Sequence, residues 1–209
     1  MIYLIGGPPR SGKTTLAKKL ASQLRIGWVS TDFLESIVRE YTPAKNYRKL
    51  FPKNNLRGKT SGTNDEMYAR FSYKQITAAY IKQGKTSWKA IESFIGDCIN
   101  ESHDFVIEGY QIHPKLTTKM MNGFPKQIHA VFLIKKNEQA LVEGFKKNSA
   151  KSDWVLNKTK NKETFQKIAK MLSYFGKYTE KEAEKYRLPV YCMDKDFLKT
   201  ISKIAKKIE

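Results

Sequence analysis

The segment Gly7-Pro8-Pro9-Arg10-Ser11-Gly12-Lys13-Thr14 constrains this chain more than any other. It has the spacing G-x-x-x-x-G-K-[ST], and it lies between a short apolar run, Ile2-Tyr3-Leu4-Ile5, and a helical pattern that begins at Lys13. Glycines at the two ends let the backbone curl so that successive N–H groups converge on one point, a concave site for an anion. The helix that follows adds the positive end of its dipole. Within that cradle Lys13 is expected to reach the outer phosphates of a nucleotide, and the Thr14 hydroxyl to ligate Mg²⁺. Thr15 continues the loop into the helix. The chain supplies its own controls: Gly58-Lys59-Thr60 and Gly84-Lys85-Thr86 repeat the triplet, but Lys53 and Ala79 stand where the first glycine belongs. Neither follows a strand pattern, so only the N-terminal copy is read as a phosphate loop.

The rest of the pattern alternates. Apolar residues recur at Leu16, Ala17, Leu20, Ala21 and Leu24, and Gly27 is expected to stop this helix. Trp28-Val29-Ser30 reads as a second strand, with Thr31 or Asp32 placed to cap the next helix. Residues 41–64 are rich in Pro, Asn, Gly and Lys, with six positive charges and no negative one, and predict a mobile excursion from the core. Two helical stretches, near 65–83 and 86–101 and broken at Gly84, complete a substrate-side insertion over 41–101. Phe105-Val106-Ile107, Ile128 to Ile134 and Leu188 to Tyr191 read as three further strands, with helices after His113-Pro114, from Asn137 to Lys147, up to Tyr186, and from Asp194. Strands alternating with helices predict an α/β fold: one domain over 1–209, with about five parallel strands flanked by helices.

In such a sheet ligands bind beyond the carboxyl ends of the strands, where Asp32 and Glu108 both fall. Asp32 could hold Mg²⁺ through water, bind a substrate hydroxyl or accept its proton, or simply cap its helix. Glu108, an acid closing an apolar strand, needs a partner such as Mg²⁺ or Lys13. Arg39 lies two helical turns beyond Asp32 and can share its face; Arg48, Arg57 and Arg70 are further candidates for holding a substrate. Arg10 sits in the loop itself and could point at phosphate or simply outward. The lysine-rich segment 146–162, with Lys146, Lys147, Lys151 and Lys158, is either a lid that excludes water from the reaction or a solvated connector. His103, His113 and His129 form no nucleophilic or metal arrangement, and the three tryptophans are read as core or rim residues.

Lys and Arg number 39 against 20 Asp and Glu, a formal charge of +19. That surplus favours anionic partners, RNA among them, although lysine rather than arginine carries most of it. Two cysteines make no disulfide framework. No run of about 18 apolar residues exists to cross a membrane, and Ile2 to Ile5 is too short for a signal peptide. The expectation is a cytoplasmic protein with no membrane partner; no feature specifies an oligomer.

Taken together, Ile5-Gly6-Gly7-Pro8 through Thr15, Ser30-Thr31-Asp32-Phe33, Val106-Ile107-Glu108-Gly109 with His113-Pro114, and Glu184-Lys185-Tyr186 to Val190 resemble P-loop kinases of the 2-phosphoglycerate kinase type. More broadly they resemble the nucleoside-monophosphate-kinase-like group of P-loop NTPases. The resemblance implies MgATP as phosphoryl donor and a small hydroxylated, often phosphorylated, acceptor contacted by Asp32 and Arg39. It also implies an adenine contact near Cys192-Met193-Asp194. An RNA or tRNA acceptor, or a non-catalytic ATP-binding switch, is the alternative. One departure stands out: the group usually places arginines in the lid, and this chain has none between Arg70 and Arg187.

Overall fold

The computed structural model describes residues 1–147 and 153–208. In chain order the elements are β1 (Ile2–Gly6), α1 (Lys13–Leu24), β2 (Gly27–Ser30), α2 (Thr31–Glu40), α3 (Ala44–Leu50), α4 (Pro52–Gly58), α5 (Asn64–Arg70), α6 (Tyr73–Thr86) and α7 (Trp88–Asn100). There follow β3 (Phe105–Gly109), α8 (Pro114–Gly123), β4 (Ile128–Ile134), α9 (Glu138–Lys147), α10 (Trp154–Asn157), α11 (Lys162–Lys185), β5 (Val190–Cys192) and α12 (Phe197–Ile208). The five strands form one sheet in the order β2-β3-β1-β4-β5, with every pairing parallel.

β1 is central, and its side chains alternate between two cores. Ile2 and Leu4 join Ile95, Ile107, Leu116 and Phe132 on one face. Tyr3 and Ile5 join Leu16, Leu20, Val106, Leu133 and Ile204 on the other. A strand covered on both faces has no polar side to show, which is why β1, and β4 apart from the exposed His129, read as apolar runs. A third cluster, built on Met67, Tyr80, Phe145, Ile168 and Phe175, binds α5, α6 and α9 to the long helix α11. Among the described residues no helix is long and apolar enough to cross a membrane.

Several local expectations are corrected. Residues 41–64 hold two ordered helices rather than a loose excursion: Phe51 between them is completely buried, and Pro52 starts α4 from a position where its missing N–H costs nothing. Gly84 does not break its helix. α6 runs through it to Thr86, and the backbone of Gln111 and the ring of Tyr110 pack against the glycine. The breaks fall instead at Phe71-Ser72 and at Ser87. Arg25, in the left-handed region at φ 56°, closes α1, not Gly27. Ser30, not Thr31 or Asp32, caps α2, its hydroxyl accepting from the Asp32 N–H.

Candidate active site

The phosphate loop connects β1 to α1 and curls under two glycines held at positive φ, Gly7 at 135° and Gly12 at 100°. A Cβ on Gly7 would fall 2.0 Å from the Leu133 carbonyl oxygen, and one on Gly12 would strike the Phe197 ring at 2.5 Å. Both positions therefore exclude other residues on space as well as on backbone conformation. Lys13, at 7% exposure, folds back over the loop and donates to the Pro8 carbonyl at 2.7 Å. Burial pushes its ammonium below the usual lysine range, and the charges of Glu108 and Asp32 pull it partly back. The Ser11 hydroxyl is buried in the loop without a hydrogen-bond partner. An orphaned hydroxyl, a buried ammonium and a loop curled by two positive-φ glycines fit an anion at this point.

Glu108, next to last in β3, lies beside the loop at 4% exposure, and the Thr14 hydroxyl donates to its Oε1 at 2.9 Å. This pair of oxygens suits Mg²⁺, which takes one or two protein oxygens and completes its octahedron with phosphate and water. Thr14 and Glu108 are the residues that would hold it. Among the described residues no cluster of three or more His, Cys, Asp or Glu could cage a metal by itself. Asp32 is not part of the Thr14–Glu108 pair: its Oδ1 accepts from Gln111 Nε2 at 2.9 Å. Thr15, next in α1, is exposed.

Beyond Pro9 the cleft widens into a cavity of about 360 Å³ lined by Asp32, Glu35, Ser36, Arg39, Lys53, Asn54, Arg57, Tyr80, Tyr110, Trp154 and Lys158. Asp32 and Arg39 thus share a wall, as their spacing along α2 predicts, and the Arg39 guanidinium donates to Ser36 Oγ at 3.2 Å. Arg57 joins them from α4, its guanidinium over the Trp154 ring at 5.7 Å and donating to Asn64 Oδ1. The other candidate arginines do not join: Arg48 is exposed and Arg70 donates to the Lys59 carbonyl.

Glu35 is the residue that sequence reasoning missed. Burial pushes its carboxyl up, but the Lys53 ammonium and hydrogen bonds from Tyr110, Gln83 and Gln111 outweigh that and hold it below the ordinary range. It stands one turn after Asp32, a spacing that puts both on one face of α2 and was available in the sequence. Lys53, which bonds Glu35 at 3.3 Å and lies between the rings of Tyr80 and Tyr110, had no such signal.

The segment 153–161 closes the cavity from the far side. Asn64, fully buried, donates to the Trp154 carbonyl and to Thr159 Oγ1, while Asp65 accepts from the N–H groups of Lys160 and Asn161. Arg10 does not turn into the cradle. Its guanidinium pairs with the buried Asp153 at 2.6 Å and donates to the Gly144 carbonyl, tying the loop to this segment. Of the proposed lid lysines, Lys158 lines the cavity; Lys151 and the side chain of Lys146 lie outside the described residues. Where an adenine contact is expected, Met193 is buried and the Asp194 carboxylate accepts from the N–H groups of Lys136 and Asn137. His113 is structural, capping α8 through its Nδ1 and meeting the Tyr178 hydroxyl through Nε2 at 3.0 Å.

No family model matches the chain, and no curated protein matches it. Solved structures do. It shares its fold with a gluconokinase from Sinorhizobium meliloti 1021, at TM-score 0.53 and 13% identity, over 98% of this chain and 93% of that one. A sugar kinase from Janibacter sp. HTCC2649 gives 0.53 at 10% identity, over 99% and 94%. A shikimate kinase from Bacteroides thetaiotaomicron gives 0.50 at 13% identity, over 99% and 95%. At these identities the likeness establishes the fold, which is that of the P-loop kinases.

Proposed function

We propose that this chain is an ATP-dependent kinase that transfers the γ-phosphoryl group to a hydroxyl of a small, anionic acceptor. One observation carries the reading: the phosphate loop opens at Pro9 onto a cavity that presents one carboxylate in the open cleft, Asp32, among several cations. Lys53 is paired with Glu35, so among the described lining residues Arg39, Arg57 and Lys158 outnumber the one remaining carboxylate, Asp32. Such a surplus suits a phosphate or carboxylate on the acceptor. A phosphorylated hydroxy acid, as the resemblance to 2-phosphoglycerate kinases implies, and a sugar acid both belong to this class.

In this reading the loop N–H groups and Lys13 bind the β- and γ-phosphates and stabilise charge as it develops on them. Mg²⁺, held by Thr14 and Glu108, would supply neutralisation of that charge. Asp32 aligns the acceptor hydroxyl and takes its proton as the oxygen bonds to the γ-phosphorus and the bond to the bridging oxygen of ADP breaks. Arg39, Arg57 and Lys158 fix the acceptor's anionic end, so that its hydroxyl, not water, meets the phosphorus. The segment 153–161 limits the entry of water on that side. The adenine falls in this scheme near Cys192-Met193-Asp194.

The test is transfer of labelled γ-phosphate from MgATP to a panel of phosphorylated hydroxy acids, sugar acids, nucleosides, nucleotides and short RNAs including tRNA, with Lys13→Ala as control. Label in one small anion, lost in the control, supports the proposal. Label in RNA would transfer the reading to an RNA kinase. Label only in free phosphate, or ATP binding with no turnover, would leave an ATPase or a nucleotide-operated switch.

A further inference from the structure

Gln111, from the turn after β3, meets Thr31, Asp32 and Glu35 of α2, and the chemistry of the cluster is narrowly determined. Gln111, which follows β3, is completely buried. Its amide nitrogen donates to Asp32 Oδ1 at 2.9 Å and to Glu35 Oε2 at 3.0 Å, and its amide oxygen accepts from the Thr31 hydroxyl. An ionised carboxylate can only accept hydrogen bonds, and the nitrogen of an amide can only donate them. Two carboxylates on one side and a hydroxyl on the other therefore fix which way the amide points. Glycine at 109 makes the arrangement possible: a Cβ there would sit 1.6 Å from Thr31 Oγ1 and 2.8 Å from Gln111 Oε1.

The rest of the cluster is anchored independently. Glu35 also accepts from Tyr110, from Lys53 at 3.3 Å and from Gln83 at 2.7 Å. Gln83 in turn bonds both the backbone N–H and the side-chain oxygen of Asn54. Glu35 thus has three partners besides Gln111, whereas Asp32 takes only the Gln111 bond to its carboxylate among the described residues. A neutral amide is the one common side chain that can hold two acids side by side without cancelling the charge of either. A lysine here would neutralise Asp32, and a glutamate would repel it.

We propose that Gln111 is a positioning residue: it fixes one oxygen of Asp32 against the Glu35 anchor, leaving the other to engage the acceptor hydroxyl. This rests on the reading of Asp32 as the acid that meets the acceptor. Gln111 touches no reacting atom; it acts through Asp32.

Gln111→Met keeps the length of the side chain and removes the donors. Crystal structures of the wild-type protein and this variant, grown alike, decide the positional part without reference to activity. The Asp32 carboxylate is expected to leave its place or split between rotamers in the variant, while Glu35 stays on Tyr110, Lys53 and Gln83. An unmoved Asp32 overturns the proposal. Kinetics decide the functional part, with hydrolysis of MgATP, water serving as acceptor, as the probe. Gln111→Met is expected to lower kcat about 10- to 100-fold, the scale of a misplaced reacting geometry. Its KM for MgATP should stay within about twofold. In an Asp32→Asn background the same change should cost less than about twofold, since residues acting as one unit are not additive. An equal loss in both backgrounds would make Gln111 merely structural and overturn the proposal. A wild-type protein that transfers the phosphoryl group neither to the acceptor panel nor to water would sink the kinase reading, and the crystallographic comparison would still decide on Gln111. If Gln111→Met does not fold, Thr31→Val releases the far side of the amide; the same displacement of Asp32 is expected, and its absence counts against the proposal.

Discussion

The phosphate loop and the cavity proposed to take the acceptor meet at Pro9 and are assembled in opposite ways. The loop takes its shape from eight consecutive residues, Gly7 to Thr14, and much of its binding capacity lies in backbone N–H groups whose direction follows from local φ and ψ. The cavity draws Asp32, Glu35 and Arg39 from α2, Lys53, Asn54 and Arg57 from α4, Tyr80 from α6, Tyr110 from the turn after β3, and Trp154 and Lys158 from the closing segment. Its shape exists only once these elements have packed. A site of the first kind tolerates little change in its own residues; one of the second kind spreads its tolerance over many.

The largest effect that would sharpen this contrast is expected from Lys13→Ala, which removes the buried ammonium from the loop. Turnover should fall about 10³-fold, the upper scale for losing one preorganised electrostatic contact, and a retained rate would break the donor half of the account. Asp32→Asn should lower kcat about 10²-fold, the lower end for loss of general-base catalysis, with the KM for MgATP little changed; steady-state kinetics in MgATP check it. In the cavity Arg57→Ala should act on the other substrate, raising the acceptor KM about tenfold through loss of a charge-assisted contact and leaving the KM for MgATP alone. An effect on MgATP instead would place Arg57 on the wrong side of the border.

Asp153→Ala tests the border itself. It removes the Arg10 ion pair and uncaps α10, whose Val155 N–H bonds Asp153 at 2.9 Å. The cap alone is worth about 1 kcal/mol, and a several-fold weaker grip on the acceptor should accompany a small fall in melting temperature. The smallest effect on the cleft belongs to a group in neither half. Burial holds His113 down to about 4 from the usual 6.5, so the folded chain keeps it neutral while the unfolded chain protonates. Stability should therefore be lost as pH falls from 6.5 towards 4, by up to about 3 kcal/mol, with the loss complete below that window. Denaturant unfolding of the wild-type protein and His113→Asn at pH 7.5 and pH 5 should show the slope shrinking in the variant, with both halves of the cleft unaffected at pH 7.5.

The same contrast explains what could be read in advance. The loop, the sheet and the placing of Asp32 and Glu108 at the carboxyl ends of strands are legible because each depends on neighbours in sequence: glycine spacing, an apolar run, the close of a strand. The decoy triplets make the point, since Gly58 ends α4 with open space around it and Gly84 lies inside α6. Arg39 was legible from helical spacing alone. Lys53 was noticed only as the residue that spoils a motif, and its contact with Glu35 joins positions 18 apart. Gln111 carried no signal at all, because a buried amide gains its meaning from the carboxylates that other elements bring to it. The sequence leaves Arg10 open between phosphate and outward for the reverse reason: its place in the loop is local, and its partner Asp153 lies 143 residues away.

The measurement that bears most directly on a two-part cleft is binding of MgATP and phosphoryl transfer, followed side by side on the wild-type protein, Lys13→Ala and Asp32→Asn, using the acceptor that the labelling panel identifies. The account expects Lys13→Ala to lose both, and Asp32→Asn to bind MgATP as the wild-type protein does while transferring poorly. Asp32→Asn that transfers at the wild-type rate, or that loses MgATP binding together with transfer, would contradict it.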